Sequence, residues 1–304
     1  MGNSSGPGQA VEFSDVSAPR ISWRTAVVTG ATTVLAGSSA GTVSWATYRL
    51  LMTQAGAARA VIGRDTSKPP EADGVYAPGA TMPEPWRKST PFDLHLMIFG
   101  DSTAAGLGCL GAADVPGVRL ARGLAEATGM RIRLSTKAIS GATSKGLAGQ
   151  VDAMFVAGPP PDAAVILVGA NDITKKHSIR ASARRLAAAV SRLREADALV
   201  VVGTCPNLGT VTAIQQPLRT IVANWSVRLA KAQTVATTIA GGIAVPMGSP
   251  LVASEFRASP EILFATDGFH PSAAGYELAA AQLLPVLIAQ VRDRPALPVA
   301  HLET

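Results

Sequence analysis

The sequence is poor in the residue types that bind metal ions and nucleic acids. Its 304 residues include two cysteines and four histidines, and aromatic residues make up 5% of the chain. No cysteine or histidine spacing matches a zinc finger, and no basic stretch is interleaved with the aromatic side chains on which bases stack. We therefore expect no metal site and no nucleic-acid partner.

Cys109 and Cys205 both follow predicted strands, so they fall on the same edge of the predicted sheet. A disulfide is the interpretation that applies if the domain is exported. The sequence does not give the Cα separation that a bridge requires. We expect two unpaired, partly buried thiols and keep the disulfide as the alternative.

Charged residues are also scarce, at 16%, and the hydrophobic share of 47% is that of a globular chain. The formal net charge of +6 suits an anionic lipid surface or cell envelope. No charge occurs from Thr25 to Tyr48, which is long enough to cross a bilayer as a helix, although its hydropathy is mediocre. We predict membrane association through residues 25–48 and a location at the cell membrane or envelope, with a soluble packing helix as the alternative.

Composition divides the chain into five segments. Residues 1–20 are polar and rich in Gly and Ser, so we expect a disordered tail. Residues 21–60 hold an apolar helix, a possible membrane anchor or signal. Residues 61–92 are rich in proline and form a linker or an arm laid over the domain surface. Residues 93–292 form the main domain, and residues 293–304 form a tail.

Within the main domain, strand patterns alternate with helix patterns. This alternation predicts βαβ units, an α/β fold class and a five-stranded parallel sheet that is covered on both faces. Ligands of such sheets bind outside the carboxyl ends of the strands. The predicted strands are Leu94–Gly100, Arg131–Ala138, Ala163–Val168, Ala198–Gly203 and Gly242–Val245.

Ser102 follows the first buried strand directly and precedes small residues that can open a helix. Backbone N–H groups at a helix start favour developing negative charge, as acyl transfer requires. Of the four histidines, only His270 has a loop carboxylate, Asp267, three residues before it. A carboxylate on Nδ1–H leaves Nε2 free to accept the serine proton. Elimination points to Ser102, His270 and Asp267 as nucleophile, base and orienter, although this spacing is common by itself.

Four blocks in order resemble those of the SGNH (GDSL-type) hydrolase family: Gly100-Asp101-Ser102, Ser140-Gly141-Ala142-Thr143, Gly169-Ala170-Asn171-Asp172 and Asp267-Gly-Phe-His270-Pro271. The resemblance covers roughly residues 94 to 292. It implies a three-layer αβα, flavodoxin-like fold, the same catalytic triad and no cofactor. It also assigns an oxyanion hole to the Ser102 N–H, the Gly141 N–H and the Asn171 side-chain amide. Thr103 departs from the leucine of many members, which leaves the substrate and subfamily open.

The sequence thus predicts a serine esterase that acts on lipid, acyl or acetyl esters through an acyl-enzyme. An acyltransferase using the same site and a non-catalytic envelope binding protein are alternatives. A dinucleotide-binding enzyme is another, because Gly106-Leu-Gly108-Cys-Leu-Gly111 fits the G-x-G-x-x-G formula. That pattern begins too far after the strand, and no acidic residue ends the second strand to hold a ribose. The acyl-pocket candidates are Leu107, Ile173, Leu208 and Phe269.

Overall fold

The computed structural model describes residues 40–62 and 68–294. Among these, residues 40–50 belong to one compact unit and residues 51–62 and 68–294 to a second. The first described helix, α1 (Ala40–Ile62), begins in the first unit, where the Arg49 guanidinium lies 5.0 Å from the Trp45 ring centroid. Most of the predicted membrane span, residues 25–39, lies outside the described residues, as do the predicted tail 1–20 and residues 295–304.

One six-stranded sheet forms the middle layer of the second unit, in the order β1-β3-β2-β4-β5-β6. The strands β3, β2, β4, β5 and β6 run parallel to one another, and their order is the flavodoxin-like one. The three-layer α/β class predicted from the sequence is therefore confirmed. The strands are β1 (Gly74–Tyr76), β2 (Leu94–Gly100), β3 (Ile132–Thr136), β4 (Ala163–Leu167), β5 (Leu199–Gly203) and β6 (Ile243–Val245).

The predicted count of five strands is wrong by one. The additional strand, β1, lies in the proline-rich segment and pairs with β3 in antiparallel register, with Gly74 opposite Leu134. It is three residues long, so it has no alternation of apolar and polar residues that a sequence pattern could reveal. Val75 and Tyr76 are nevertheless buried, at 1% and 3% exposed. The sheet is mixed because of this single edge strand.

Helices cover both faces of the sheet, and β2 shows why its sequence is almost continuously apolar. Leu94, Leu96 and Ile98 pack into a core cluster with the helices Pro116–Thr128 and Ala273–Arg292, whereas Met97 and Phe99 pack into a second cluster with the helices Leu147–Ala157 and Ile179–Glu195. A parallel strand buried on both faces has no polar side. The remaining helices are α2 (Ser102–Ala105), α3 (Pro116–Thr128), α4 (Leu147–Ala157), α5 (Ala170–Thr174), α6 (Ile179–Glu195), α7 (Leu218–Ile239), α8 (Pro250–Ala258), α9 (Pro260–Leu263) and α10 (Ala273–Arg292).

Among the described residues, α10 alone has the length and hydropathy of a membrane-spanning helix. Its Leu283 and Leu287 are fully buried in the core cluster that α3 shares. An apolar stripe facing a sheet accounts for both observations, because a core helix needs one apolar face.

The second half of α1 packs within the second unit. Leu51 and Ala58 are buried there. The Gln54 amide donates a hydrogen bond to the Gln216 carbonyl, and its oxygen accepts one from the Leu218 N–H at 3.2 Å. Leu218 begins α7, so Gln54 satisfies one of the N–H groups that a helix start leaves without an intrahelical partner.

Candidate active site

Ser102 lies at the carboxyl edge of the sheet, as the first residue of α2. β2 ends at Gly100, whose φ is +135°, and a Cβ there would lie 1.9 Å from the Leu167 carbonyl oxygen, so only glycine fits. The Asp101 carboxylate accepts a hydrogen bond from the Thr103 N–H at 2.9 Å and caps α2. The turn from strand to helix therefore fixes the backbone of Ser102.

Asp101 is a fully buried acid at this turn. Burial raises the pKa of its carboxyl from 3.8 to about 6, although hydrogen bonds from the Thr103 and Gly169 N–H groups oppose the shift. The Asp101 N–H donates to the Leu167 carbonyl at 3.0 Å. Through these contacts Asp101 joins the end of β4 to the turn that carries Ser102.

The three predicted catalytic residues form one chain of hydrogen bonds. Ser102 Oγ lies 3.0 Å from His270 Nε2, and His270 Nδ1 lies 2.5 Å from Asp267 Oδ2. All three residues are buried, with 5%, 5% and 7% of their surface exposed, respectively. The order of the atoms is that of a serine, a base and the carboxylate that orients it.

Asp267 holds its own loop as well as the imidazole. Its Oδ1 accepts hydrogen bonds from the N–H groups of Phe269 and His270, both at 2.9 Å. Burial raises the pKa of the Asp267 carboxyl, but hydrogen bonds from the His270 side chain and from these two N–H groups outweigh it, and the pKa is lowered. The carboxylate form is thus the one that the loop stabilises.

Backbone contacts bring the His270 loop to the Ser102 turn. A Cβ at Gly108, where φ is +99°, would lie 2.5 Å from the Pro271 carbonyl oxygen, so the two segments meet at backbone distance. The Tyr276 hydroxyl donates to the Leu107 carbonyl at 2.6 Å. Gly106 ends α2 in the left-handed conformation. The glycines of the candidate dinucleotide pattern therefore serve this close packing, and they do not open a βαβ helix.

The two other predicted oxyanion donors also lie next to each other. Gly141 has a φ of +79° and occupies the third position of a turn that the Ala142 N–H closes onto the Ile139 carbonyl at 3.0 Å. The Asn171 side-chain amide donates to the Ala142 carbonyl at 2.9 Å. The Ile139 N–H donates to the Gly100 carbonyl at 3.1 Å, which ties this turn to the strand end beside Ser102.

Sequence reasoning missed the role of Asp172, which it quoted only as part of a block. This side chain is 1% exposed and accepts hydrogen bonds from the Ser144 N–H, the Ser144 hydroxyl and the Ser182 hydroxyl at 2.9, 2.7 and 2.7 Å. Its position directly after Asn171, at the start of a helix, was the available signal. Among the described residues no lysine or arginine pairs with this acid, so neutral donors must replace its hydration shell.

A second serine–histidine pair lies inside the sheet. His95 Nε2 is 2.9 Å from Ser135 Oγ, and both residues are buried, at 2% and 9% exposed. They belong to β2 and β3, where Met97 is the register partner of Ser135. The spacing of a serine and an imidazole therefore does not by itself identify the site.

An apolar pocket adjoins the Ser102 turn and the His270 loop. Its empty volume is about 890 Å³, its open mouth included. Thr103, the neighbour of Ser102, and Phe269, the neighbour of His270, both line it, together with Leu208. Of the four candidate acyl-pocket residues, Phe269 and Leu208 line this pocket, whereas Leu107 and Ile173 are buried and do not.

Both cysteines are free thiols, and Cys205 is buried. Burial raises the pKa of the Cys109 thiol to about 12 and that of Cys205 well above its ordinary value. Raised thiol pKa values oppose formation of the reactive thiolate. Neither cysteine is thus a competing nucleophile for the site around Ser102.

Known proteins are similar to this chain in sequence. Residues 98–278 match the GDSL-like Lipase/Acylhydrolase family. The GDSL-like esterase Rv1075c of Mycobacterium tuberculosis is 57% identical over 262 residues, which are 86% of this chain and 83% of that protein.

Two solved structures share the fold at lower identity. The psychrotrophic esterase EstA from Pseudoalteromonas sp. has a TM-score of 0.52 and 19% identity, over 66% of this chain and 100% of EstA. TesA has a TM-score of 0.50 and 23% identity, over 64% of this chain and 97% of TesA. The family match and the 57% identical esterase lead to one conclusion: this chain belongs to the GDSL-like (SGNH) lipase/acylhydrolase family and is a serine ester hydrolase.

Proposed function

We propose that Ser102, His270 and Asp267 are the nucleophile, general base and orienting carboxylate of a carboxylic ester hydrolase. The observation that carries this proposal is the continuous hydrogen bonding from Ser102 Oγ through the imidazole to Asp267, at 3.0 and 2.5 Å. The lowered pKa of Asp267 supports its role, because only an ionised carboxylate stabilises the imidazolium that forms during attack.

The reaction proceeds through an acyl-enzyme. His270 Nε2 takes the Ser102 proton while Oγ bonds to the ester carbonyl carbon, and the carbonyl oxygen becomes an oxyanion. The Ser102 N–H, the Gly141 N–H and the Asn171 amide donate hydrogen bonds to that oxyanion. The C–O bond then breaks, and His270 returns the proton to the leaving alcohol. Water repeats the sequence, with His270 as base, and releases the carboxylic acid and Ser102.

The substrate is a small-molecule or lipid ester of acyl or acetyl type. The pocket next to the Ser102 turn supports an ester with an aliphatic acyl part, because its lining, which includes Leu208 and Phe269, is mostly apolar. Hydrolysis is preferred to acyl transfer because the 57% identical relative is described as an esterase.

We also propose that the chain acts at the cell membrane or envelope, held there through residues 25–48. The uncharged composition of that stretch and the net charge of +6 support this location. Residues 93–292 are the proposed hydrolase domain, and residues 61–92 its arm. Pairing of Val75 with Arg133, and the Arg133 guanidinium 3.6 Å from the Trp86 ring centroid, support an arm laid on the domain.

A covalent probe tests the nucleophile. A p-nitrophenyl alkylphosphonate should release nitrophenol once per chain and leave a phosphonyl group on Ser102, identified by peptide mass spectrometry. Ser102→Ala should remain unlabelled, whereas Ser135→Ala, which removes the other buried serine that contacts a histidine, should be labelled like the native chain. An adduct on another residue, or labelling of Ser102→Ala, would refute the assignment.

A further inference from the structure

Three side chains of one short segment reach the turn that carries Gly141. From α5, Asn171 donates to the Ala142 carbonyl and Asp172 accepts from Ser144, at 2.9 Å each. Just after α5, the Lys175 ammonium donates to the Gly141 carbonyl at 2.7 Å. Lys175 is exposed, whereas the Asp172 side chain is buried and has no part in the proposed chemistry.

Asp172 makes the largest number of these contacts. Its Oδ2 accepts from the Ser144 N–H, and its Oδ1 accepts from the Ser144 hydroxyl and from the Ser182 hydroxyl on α6. His177 Nδ1 lies 3.2 Å from the same Oδ1. One carboxylate thus joins the Gly141 turn, α5 and α6.

The environment of this carboxylate makes the contacts strong. Its side chain is 1% exposed, and within residues 40–62 and 68–294 its ion-pair partner is His177, not a lysine or arginine. A buried carboxylate is stable only when hydrogen-bond donors replace its hydration shell. Hydrogen bonds to an ionised acceptor are also roughly twice as strong as those between neutral groups. Displacing Ser144 would therefore leave the carboxylate without two of its donors.

We propose that Asp172 is a positioning residue of the oxyanion hole. It fixes Ser144, two residues after the Gly141 turn, to the helix that carries Asn171, so that both donors hold one relative geometry. The other end of the turn is already fixed, because the Ile139 N–H donates to the Gly100 carbonyl. This inference rests on the proposed function, since it assumes that Gly141 and Asn171 stabilise the oxyanion.

Asp172→Asn tests the inference, because an asparagine presents an NH₂ group where the carboxylate accepts from Ser144. We expect kcat for a p-nitrophenyl ester to fall about 10- to 100-fold, with a smaller change in KM, as misplacement of a catalytic group by about 1 Å has that effect. The specific readout is the ratio of kcat/KM for the ester to kcat/KM for the matching thionoester. Sulfur is a poor hydrogen-bond acceptor, so a misaligned hole lowers the ester rate more and reduces this ratio.

Ser144→Ala is the second variant and should reduce the ratio in the same direction by a smaller factor, since the Ser144 N–H contact remains. It also keeps the test valid if Asp172→Asn does not fold, as judged by circular dichroism. Ser182→Ala is the matched control: it removes a donor to the same carboxylate from α6 and should leave the ratio at the native value.

Unchanged ratios in Asp172→Asn and Ser144→Ala would overturn the positioning role, and so would equal effects of Ser182→Ala and Ser144→Ala. Failure of the proposed function looks different. In that case Ser102→Ala keeps native ester hydrolysis, whatever the ratio in the Asp172 variant.

Discussion

Within residues 40–62 and 68–294, two buried serine–histidine pairs are found, and their comparison shows what the site requires. Ser102 and His270 are 3.0 Å apart, and Ser135 and His95 are 2.9 Å apart. Burial does not separate the pairs either, because all four residues are at most 9% exposed. Distance and burial alone would therefore select either pair.

Location within the fold is what distinguishes the pairs. Ser102 and His270 lie in segments beyond strand ends, where Asp267, Gly141 and Asn171 also converge. His95 is the second residue of β2 and lies five residues before its end at Gly100. At the rise per residue of a β-strand, this is about 16 Å from the carboxyl edge of the sheet, called the rim below. Our proposal therefore places the substrate at the carboxyl edge of the sheet, where Ser102 lies, and assigns the pair within β2 and β3 to packing.

The largest expected effect separates the pairs directly. Ser102→Ala should lower kcat for a p-nitrophenyl ester by about 10⁶-fold, as loss of a nucleophile does in a triad. His270→Ala should cost nearly as much, and the double variant no more, because the residues act as a unit. Residual rates are measured after a second purification, and an additive double variant would contradict a shared step.

Asp267→Asn should lower kcat by about 10⁴-fold, because an amide stabilises the wrong imidazole tautomer. In the native chain the lowered pKa keeps Asp267 ionised under mildly acidic conditions, so its contribution to stability is present above the unfolded-state value. That contribution is lost as the pH falls through the lower folded-state pKa. A kcat–pH profile compares the two chains, and native activity in Asp267→Asn would remove the carboxylate from the mechanism.

Asn171→Ala tests one of the proposed oxyanion donors beside Ser102. Removal of one oxyanion donor should lower kcat by about 10²- to 10³-fold, with KM nearly unchanged. Its hydrogen bond to Ala142 is also lost, so a thermal melt should accompany the kinetics. A change confined to KM would indicate substrate binding, not oxyanion stabilisation.

Asp101→Asn probes the cost of burying charge at the rim. Because the folded-state pKa of Asp101 is about 6 and its ordinary value is 3.8, the native fold binds the proton more tightly than the unfolded chain. Native stability should thus fall by about 2 kcal/mol as the pH rises from 4 to 7. The variant should lack this component in urea titrations at both pH values. Identical pH dependence in the two chains would show that Asp101 is not the titrating group.

Ser135→Ala should have the smallest effect on catalysis, with kcat/KM within roughly twofold of the native value, because distant sites act independently. Its free energy of unfolding should fall by about 1 kcal/mol, since a buried hydrogen bond to His95 is lost. A large loss of activity at native stability would return the interior pair to consideration.

Local sequence sufficed for the rim because its residues occupy strand ends. Ser102 and Asn171 each follow an apolar run, and the alternation of strands and helices predicts that such ends meet at one edge. The spacing of Asp267 and His270 within one loop likewise predicts their contact. The fold class follows from these features, whereas the four ordered blocks were identified by their resemblance to the family.

Contacts between distant segments were beyond local sequence. Asp172 accepts hydrogen bonds from Ser144 and Ser182, which lie 28 and 10 residues away in the sequence. The residues that flank these serines in the sequence do not indicate contact with a buried carboxylate. The His95–Ser135 pair depends on the register of β2 and β3, which the sequence leaves open. β1 was not predicted for a different reason: its three residues show no alternation of apolar and polar side chains.

The three residues of β1 determine where an expressed fragment of this enzyme should begin. The family match begins at residue 98, yet the outer side of β3 is hydrogen-bonded to a strand that ends at Tyr76. A fragment that starts at residue 93, just before β2, would leave β3 as an open edge, and open edges recruit strands from other molecules. Such a fragment would self-associate, whereas one that retains residues 68–92 keeps its own cover.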